Sequence, residues 1–162
     1  MVKMIDVIRT RRNIKKFKPD EVKEEHLMTW LQAASMAPNH RMTEPWEILF
    51  LGKETREKIN HKTNFGNAPM VMAVLSRNGL TQIEKIENAL ATACFIQNFN
   101  LAAWADGAGT FWSSIGASER NRGILSVPDG YEVIGVLGVG YPEIIPEPKP
   151  RKPIAEKIKR LP

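Results

Sequence analysis

The sequence predicts one mixed domain of helices and strands, of the α+β or α/β class, within a chain of 162 residues. Short apolar runs of strand length alternate with segments of helical periodicity. The longest helical segment covers residues 81–105. The predicted order is two helices, a strand, a helix, a strand, the long helix, a strand, a helix and a strand. A proline-rich arm over residues 142–162 follows.

Two helices are predicted at the beginning of the chain. Apolar residues at positions 4, 5 and 8 predict a short helix, and the basic pair Arg11-Arg12 at its carboxyl end suits the helix dipole. The apolar residues at positions 27, 30, 31 and 34 follow helical spacing, which predicts a second helix over residues 22–36. Pro38 ends that helix.

The next segments predict two strands around a polar helix. Residues 46–51 form an apolar strand closed by Gly52, and residues 53–61 form the helix. Residues 64–69 are rich in turn-forming types and predict a loop. Residues 70–75 are apolar almost without interruption, as expected for a strand that is buried on both faces.

The long helix is predicted to be apolar around most of its circumference in its second half. That half carries Phe95, Ile96, Phe99, Leu101 and Trp104. One small sheet cannot cover such a surface, so we expect a second copy of the chain to pack there. After it, residues 109–112 predict a strand, residues 118–125 a helix with a serine N-cap, and residues 131–139 the last strand.

Composition narrows the function classes. The net charge is +5, but the basic residues are mixed with acidic ones, which disfavours a nucleic-acid module. A single cysteine, Cys94, excludes an intrachain disulfide and suits a reducing compartment. The longest apolar run, residues 133–141, is too short to cross a bilayer, and no signal peptide is recognised. We therefore expect a cytoplasmic protein without a membrane partner.

The strong catalytic motifs are missing from the sequence. It contains no P-loop, and the spacing of Gly135, Gly138 and Gly140 indicates close backbone packing rather than a dinucleotide fingerprint. Its histidines at positions 26, 40 and 61 lack zinc-ligand spacing, so no metal site is predicted. No nucleophile with a matching base is recognised either. These absences favour chemistry carried by a bound organic cofactor.

Three segments together resemble the nitroreductase family of flavoenzymes. They are Ile8-Arg-Thr-Arg-Arg-Asn-Ile-Lys-Lys-Phe17, Ala37-Pro-Asn-His40 with Pro45-Trp46, and Thr110-Phe-Trp-Ser-Ser114. The resemblance covers nearly the whole chain in order. It implies a nitroreductase-like fold over residues 1–162, with a central, mostly antiparallel sheet flanked by helices and with the long helix at a homodimer interface.

The resemblance also implies a site for FMN. Arg11 and Arg12 would hold its phosphate and ribityl chain, and Asn13 stands where the family usually has serine. The residues expected to contact the flavin are Met36, His40, Trp112, Ser113 and Ser114. Ser113 replaces the commonest family residue, arginine. A basic residue of the tail, Lys149 or Arg151, would reach the phosphate.

The activity that the resemblance implies is reduction of nitroaromatics, quinones or other electron-poor acceptors by NADH or NADPH. Donor and acceptor would use the flavin in turn, and no side chain need be an obligatory proton donor. The short connection at residues 77–80 implies an open, shallow pocket. Two alternatives remain: a flavin carrier or sensor with little turnover, and a basic nucleic-acid module, which would bind no flavin.

Overall fold

Four strands form one antiparallel sheet at the centre of the computed structural model, which describes residues 3–162. The strands are β1 (Trp46–Phe50), β2 (Met70–Arg77), β3 (Gly109–Ser113) and β4 (Tyr131–Gly140). Their order in the sheet is β1-β2-β4-β3, and every neighbouring pair is antiparallel. The predicted mixed class with a central antiparallel sheet is confirmed. Residues 1 and 2 of the predicted domain lie outside the described part.

Helices cover both faces of this sheet, in the predicted order. They are α1 (Met4–Thr10), α2 (Glu24–Ala34), α3 (Lys53–Ile59), the short turn α4 (Asn64–Asn67), α5 (Gln82–Ala105) and α6 (Glu119–Ile124). Helices α2 and α5 pack on the face that includes Met72 and Leu137. Residues of α3, α4 and α6 pack on the opposite face, which includes Ala73 and Val136. The central strands β2 and β4 are thus buried on both sides.

The long helix α5 begins with a capping box, and its two halves differ in how far their apolar side chains are buried. Thr81 accepts a hydrogen bond from the Glu84 amide and Glu84 reaches back, which completes a capping box. The prediction about its second half was wrong for Phe95, Ile96 and Phe99, which are fully buried against the sheet and α2. Leu101 and Trp104 are half-buried, so one chain covers this surface only in part. The large exposed apolar side chains lie instead in the first half, at Ile83, Ile86 and Leu90.

Residues 64–69, predicted as a loop, contain a short left-handed turn. All four residues of α4 have positive φ, between 43° and 70°. The Gly66 carbonyl accepts a hydrogen bond from the Phe17 amide at 3.0 Å, and a side chain at position 66 would overlap the Lys15 backbone. This turn ties the segment after α1 to the sheet. Its left-handed backbone is a conformation that L-residues rarely adopt in succession.

The last twenty residues lie on the surface. Residues 143–162 are exposed and contain one short 3-10 turn, Ile154–Lys157. The Lys16–Glu143 ion pair, at 2.9 Å, fastens the beginning of this segment to the body of the molecule. Within residues 3–162, no helix is both long and apolar enough to cross a membrane.

Candidate functional site

The segment that follows α1 runs beside the edge of the sheet. The Ile14 amide donates to the Thr110 carbonyl at 2.9 Å, and the Lys18 amide donates to the Tyr141 carbonyl at 2.9 Å. Ile14 is fully buried, next to Gly109. These contacts hold residues 11–13, which we call the arginine turn, next to β3.

Asn13 links the arginine turn to the end of β3. Its side-chain oxygen accepts a hydrogen bond from the Trp112 amide at 3.2 Å. The structure thus brings Asn13 beside Trp112, Ser113 and Ser114, about one hundred residues away in the sequence. The Ser113 hydroxyl accepts from the Ile115 amide at 3.2 Å, which shapes the turn that follows. Trp112 and Ser114 are exposed, so this surface is open to a ligand.

The Trp112 ring lies flat on the sheet because Gly135 leaves room for it. A side chain at position 135 would overlap the indole, whose N–H donates to the Ile134 carbonyl at 3.3 Å. Gly138 and Gly140 are likewise packed closely, against Phe65 and Pro69. The interpretation of the three glycines as points of close backbone packing is confirmed.

The guanidinium group of Arg11 is half-buried, and two further positive charges act on it. Burial, then the positive charges of Arg12 and Arg151, lower the pKa of Arg11. Arg12 donates from one nitrogen to the carbonyls of residues 9, 10 and 11, while its buried Nε has no partner in the described chain. No ion pair with an acidic side chain is found for these arginines within residues 3–162. The cluster is therefore a positive site suited to an anion.

Met36 and His40 lie elsewhere. Both are exposed, and His40 begins a short turn over residues 40–44, which we call the histidine turn. Thr43 of that turn lies 3.3 Å from Asn88 of α5. The arginine turn is next to the other end of α5, where the Trp104 indole donates to the Thr10 hydroxyl at 3.0 Å.

Helix α5 therefore separates the two groups of predicted site residues. Asn88 and Trp104 are sixteen residues apart, and a rise of about 1.5 Å per residue separates them by roughly 24 Å. One chain brings together Arg11, Arg12, Asn13, Arg151 and residues 112–114. It does not bring Met36 or His40 to them.

His61 is a neighbour of the site that the sequence did not single out. Its ring stacks on Phe65 with centroids 4.3 Å apart, and it meets Phe111 edge-on at 5.4 Å. Its Nδ1 accepts hydrogen bonds from the amides of Phe65 and Thr63. His61 lies fifty residues before Phe111 in the sequence, and no motif connects them. Only the left-handed turn at residues 64–67 brings the ring to β3.

Two surface clefts of about 590 Å³ each lie away from the arginine turn. One is lined by Lys18, Tyr141 and their neighbours, and the other by Arg56, His61 and their neighbours. Within residues 3–162, no group of three or more histidine, cysteine or acidic side chains is arranged to hold a metal ion. Residues 112–114 line neither cleft.

Comparison with known proteins places this arrangement in a family. The model described as "Nitroreductase family" matches residues 8–64 and 60–141. YfhC of Bacillus subtilis (strain 168), which carries the name of an NAD(P)H nitroreductase, is 29% identical over 180 aligned residues. The alignment covers 96% of this chain and 93% of YfhC.

Solved structures share the fold over almost the whole chain. A nitroreductase-like family protein from Bacillus cereus has a TM-score of 0.90 and 27% identity, covering 99% of this chain and 97% of its own. The NADPH:FMN oxidoreductase of Vibrio harveyi, solved with NAD+, has a TM-score of 0.86. It is 20% identical and covers 97% of this chain and 76% of its own, so this likeness concerns the fold alone.

The contacts of His61 predict a pH-dependent stability. Burial lowers the pKa of its imidazole below the usual 6.5, and two amides already point at Nδ1. The unfolded chain then binds a proton at higher pH than the folded chain does. The free energy of unfolding should therefore be steady above pH 6.5 and should fall as the pH drops below it.

Urea denaturation between pH 7.5 and 5.5, with an NMR titration of the histidine rings, measures this effect. His61→Gln keeps an acceptor at this position but cannot titrate, so the decline over this pH range should become smaller. An unchanged decline in the variant would show that other groups cause it.

Proposed function

The chain belongs to the nitroreductase family of oxidoreductases, and we propose that it binds FMN and uses NADH or NADPH to reduce electron-poor acceptors such as nitroaromatics or quinones. The observation that carries this proposal is that Asn13, which follows the pair Arg11-Arg12 directly, binds the backbone of the exposed Trp112, while the positive charge of Arg151 acts on Arg11. Three clustered cations need an anion, and a planar aromatic ligand suits an exposed indole at the end of a strand.

FMN fits the described donor set at both of its ends. Its phosphate would be held by Arg11, by Arg151 and by Nη2 of Arg12, since the backbone contacts of Arg12 use only its Nη1. One nitrogen of Arg12 already donates to three backbone carbonyls, so part of the role of Arg12 is to shape the turn. Asn13 keeps its amide N–H group available for the ribityl chain, because only its oxygen is engaged by Trp112.

The flavin ring would lie against residues 112–114. The backbone amide of Trp112 is fixed by Asn13, and the backbone after Ser113 is fixed by its hydroxyl. These contacts present a rigid edge to the ring, as preorganised binding requires. Bound FMN supplies the hydride chemistry, and the protein's part is to hold it, to orient the donor and to exclude water.

A second copy of the chain would complete the site. Helix α5 exposes Ile83, Ile86 and Leu90 at 70%, 50% and 61%, and α1 exposes Met4, Ile5 and Ile8 as well. The exposed residues of α5 begin a stripe that continues through half-buried Leu101 to Trp104 at helical spacing. Such a stripe is covered when the helix packs against its own copy about a two-fold axis.

An antiparallel pairing of α5 would join the two halves of the site. The histidine turn of one chain, at the Asn88 end of α5, would then lie near the arginine turn of the other chain, at the Trp104 end. Met36 and His40 would contact the flavin from the partner chain, across the roughly 24 Å that separates the two groups within one chain. This arrangement explains why one chain has only an open face at residues 112–114.

The donor and the acceptor would bind in turn over the same face of the flavin, in a ping-pong scheme. A flavin carrier with little turnover would have the same contacts, and it is separated from an enzyme by kinetics alone. A cytoplasmic setting is proposed because the single cysteine, Cys94, is a free thiol, which suits a reducing compartment.

Rapid mixing tests the activity. Protein loaded with FMN and mixed anaerobically with NADH or NADPH should lose the absorbance of oxidised flavin, and a nitroaromatic or quinone should restore it. Flavin that stays oxidised with both donors would favour the carrier, and protein that binds no FMN would overturn the proposal.

The arginine cluster predicts that removing one of its guanidinium groups weakens FMN binding. Arg11→Ala removes a guanidinium directed at the phosphate, and a charge-assisted hydrogen bond is worth roughly 1.5–3 kcal/mol, so Kd should rise about 10- to 100-fold. Arg9→Ala is the matched control, because the Arg9 side chain is exposed on α1. Equal affinities for both variants in a fluorescence titration would remove Arg11 from the phosphate site.

The apolar stripe of α5 predicts the oligomeric state. The native chain should sediment at about twice 18.3 kDa. Leu90→Glu places a charge in the stripe, so it should yield monomers and release FMN. Met28→Glu, on α2 at 55% exposure, should remain dimeric. A Leu90→Glu dimer that keeps its flavin would contradict this interface.

A further inference from the structure

The histidine turn is strained where it carries its most exposed side chains. Arg41 and Met42 both have φ of 53°, and Glu44 has φ of 41°. None of the three is glycine, so this backbone conformation is higher in free energy at each of them than it would be for glycine. Strain of this kind persists only when surrounding contacts over-determine the backbone, and it concentrates at functional positions.

Several hydrogen bonds hold the turn in this shape. The Asn39 side-chain oxygen accepts from the Glu44 amide at 3.0 Å, and the Arg77 guanidinium donates to the Thr43 carbonyl at 3.0 Å. Thr43 also contacts Asn88 of α5. The turn is thus fastened to β2 and to α5, and its strained tip is presented in one orientation.

What the turn presents is an exposed cation with an exposed methionine next to it in the sequence. The Arg41 side chain is exposed and makes no hydrogen bond or ion pair with any residue from 3 to 162. Met42 is 74% exposed on one side of it in the sequence, and Met36 is 78% exposed at the end of α2. An exposed arginine followed by an adaptable thioether suits a ligand in which a phosphate and an aromatic base are attached to the same sugar.

The position of the turn decides which site it serves. It lies at the Asn88 end of α5, roughly 24 Å along the helix from the arginine turn of its own chain. This step rests on the proposed function, in which antiparallel α5 helices bring the turn to the flavin of the partner. Arg41 would then stand at the rim of the partner's site, beyond Met36 and His40.

We propose that Arg41 binds the 2′-phosphate of NADPH at the flavin site of the partner chain, and that it thereby selects NADPH over NADH. The two donors differ only in that phosphate, a dianion that a guanidinium binds through paired hydrogen bonds. Met42 covers the adenine ring next to it. The strained turn keeps Arg41 at the rim, where it acts on the donor and not on the FMN phosphate.

Binding of two donor fragments to the FMN-loaded protein tests this directly, without turnover. In calorimetry, adenosine 2′,5′-bisphosphate should bind about 10- to 100-fold more tightly than adenosine 5′-monophosphate. Arg41→Gln should lose this preference, and Arg41→Lys should keep part of it. In steady-state kinetics, Arg41→Gln should raise KM for NADPH and leave KM for NADH unchanged.

Lys53→Gln is the control, because Lys53 is an exposed cation on α3 whose ion pair with Glu57 spans 3.9 Å. It should keep the preference in full. A native protein without the preference, or an Arg41→Gln variant that retains it, would overturn the assignment of Arg41. Sedimentation and the flavin spectrum of the same samples report separately on the proposed function, since a monomer or a colourless protein would refute that first.

Discussion

Backbone pairing between the segment after α1 and the edge of the sheet is the interaction on which the site depends. Ile14 donates to Thr110, Lys18 donates to Tyr141, and Phe17 donates to Gly66. Ile14 and Phe17 are buried, so the pairing is sealed from water. Without it, the arginine turn would be a solvated helix end. With it, Asn13 binds the Trp112 backbone, and the arginine pair that precedes Asn13 is held next to β3.

A second constraint is the length of α5. A helix of 24 residues places what packs at its two ends far apart, and it leaves a stripe that one sheet cannot cover. The fold covers part of the apolar surface of α5, because Phe95, Ile96 and Phe99 are buried against the sheet. The exposed residues of the first half remain, and we infer that they cause both the pairing of chains and the division of the flavin site between them.

The sequence predicts the elements well because their periodicity is strong. The long helix, the strand predicted over residues 70–75 and the close packing at Gly135 all follow from local pattern. It fails where burial depends on neighbours: Phe95 and Leu90 are both apolar residues of one helix, and only tertiary packing decides which is covered. It also cannot show positive φ at Arg41 or at Phe65, because neither residue type favours that backbone conformation. His61 was missed because its contact with Phe65 depends on that left-handed turn.

The central claim is that each flavin site takes residues from two chains, and mixing two defective variants tests it most directly. One variant would carry Arg11→Ala, and the other Met36→Ala with His40→Ala, so that each homodimer has only damaged sites. If the sites are shared as proposed, random exchange of subunits should restore about a quarter of the native high-affinity FMN sites, one in each heterodimer. If every site is built within one chain, mixing should restore none, and the account would be contradicted.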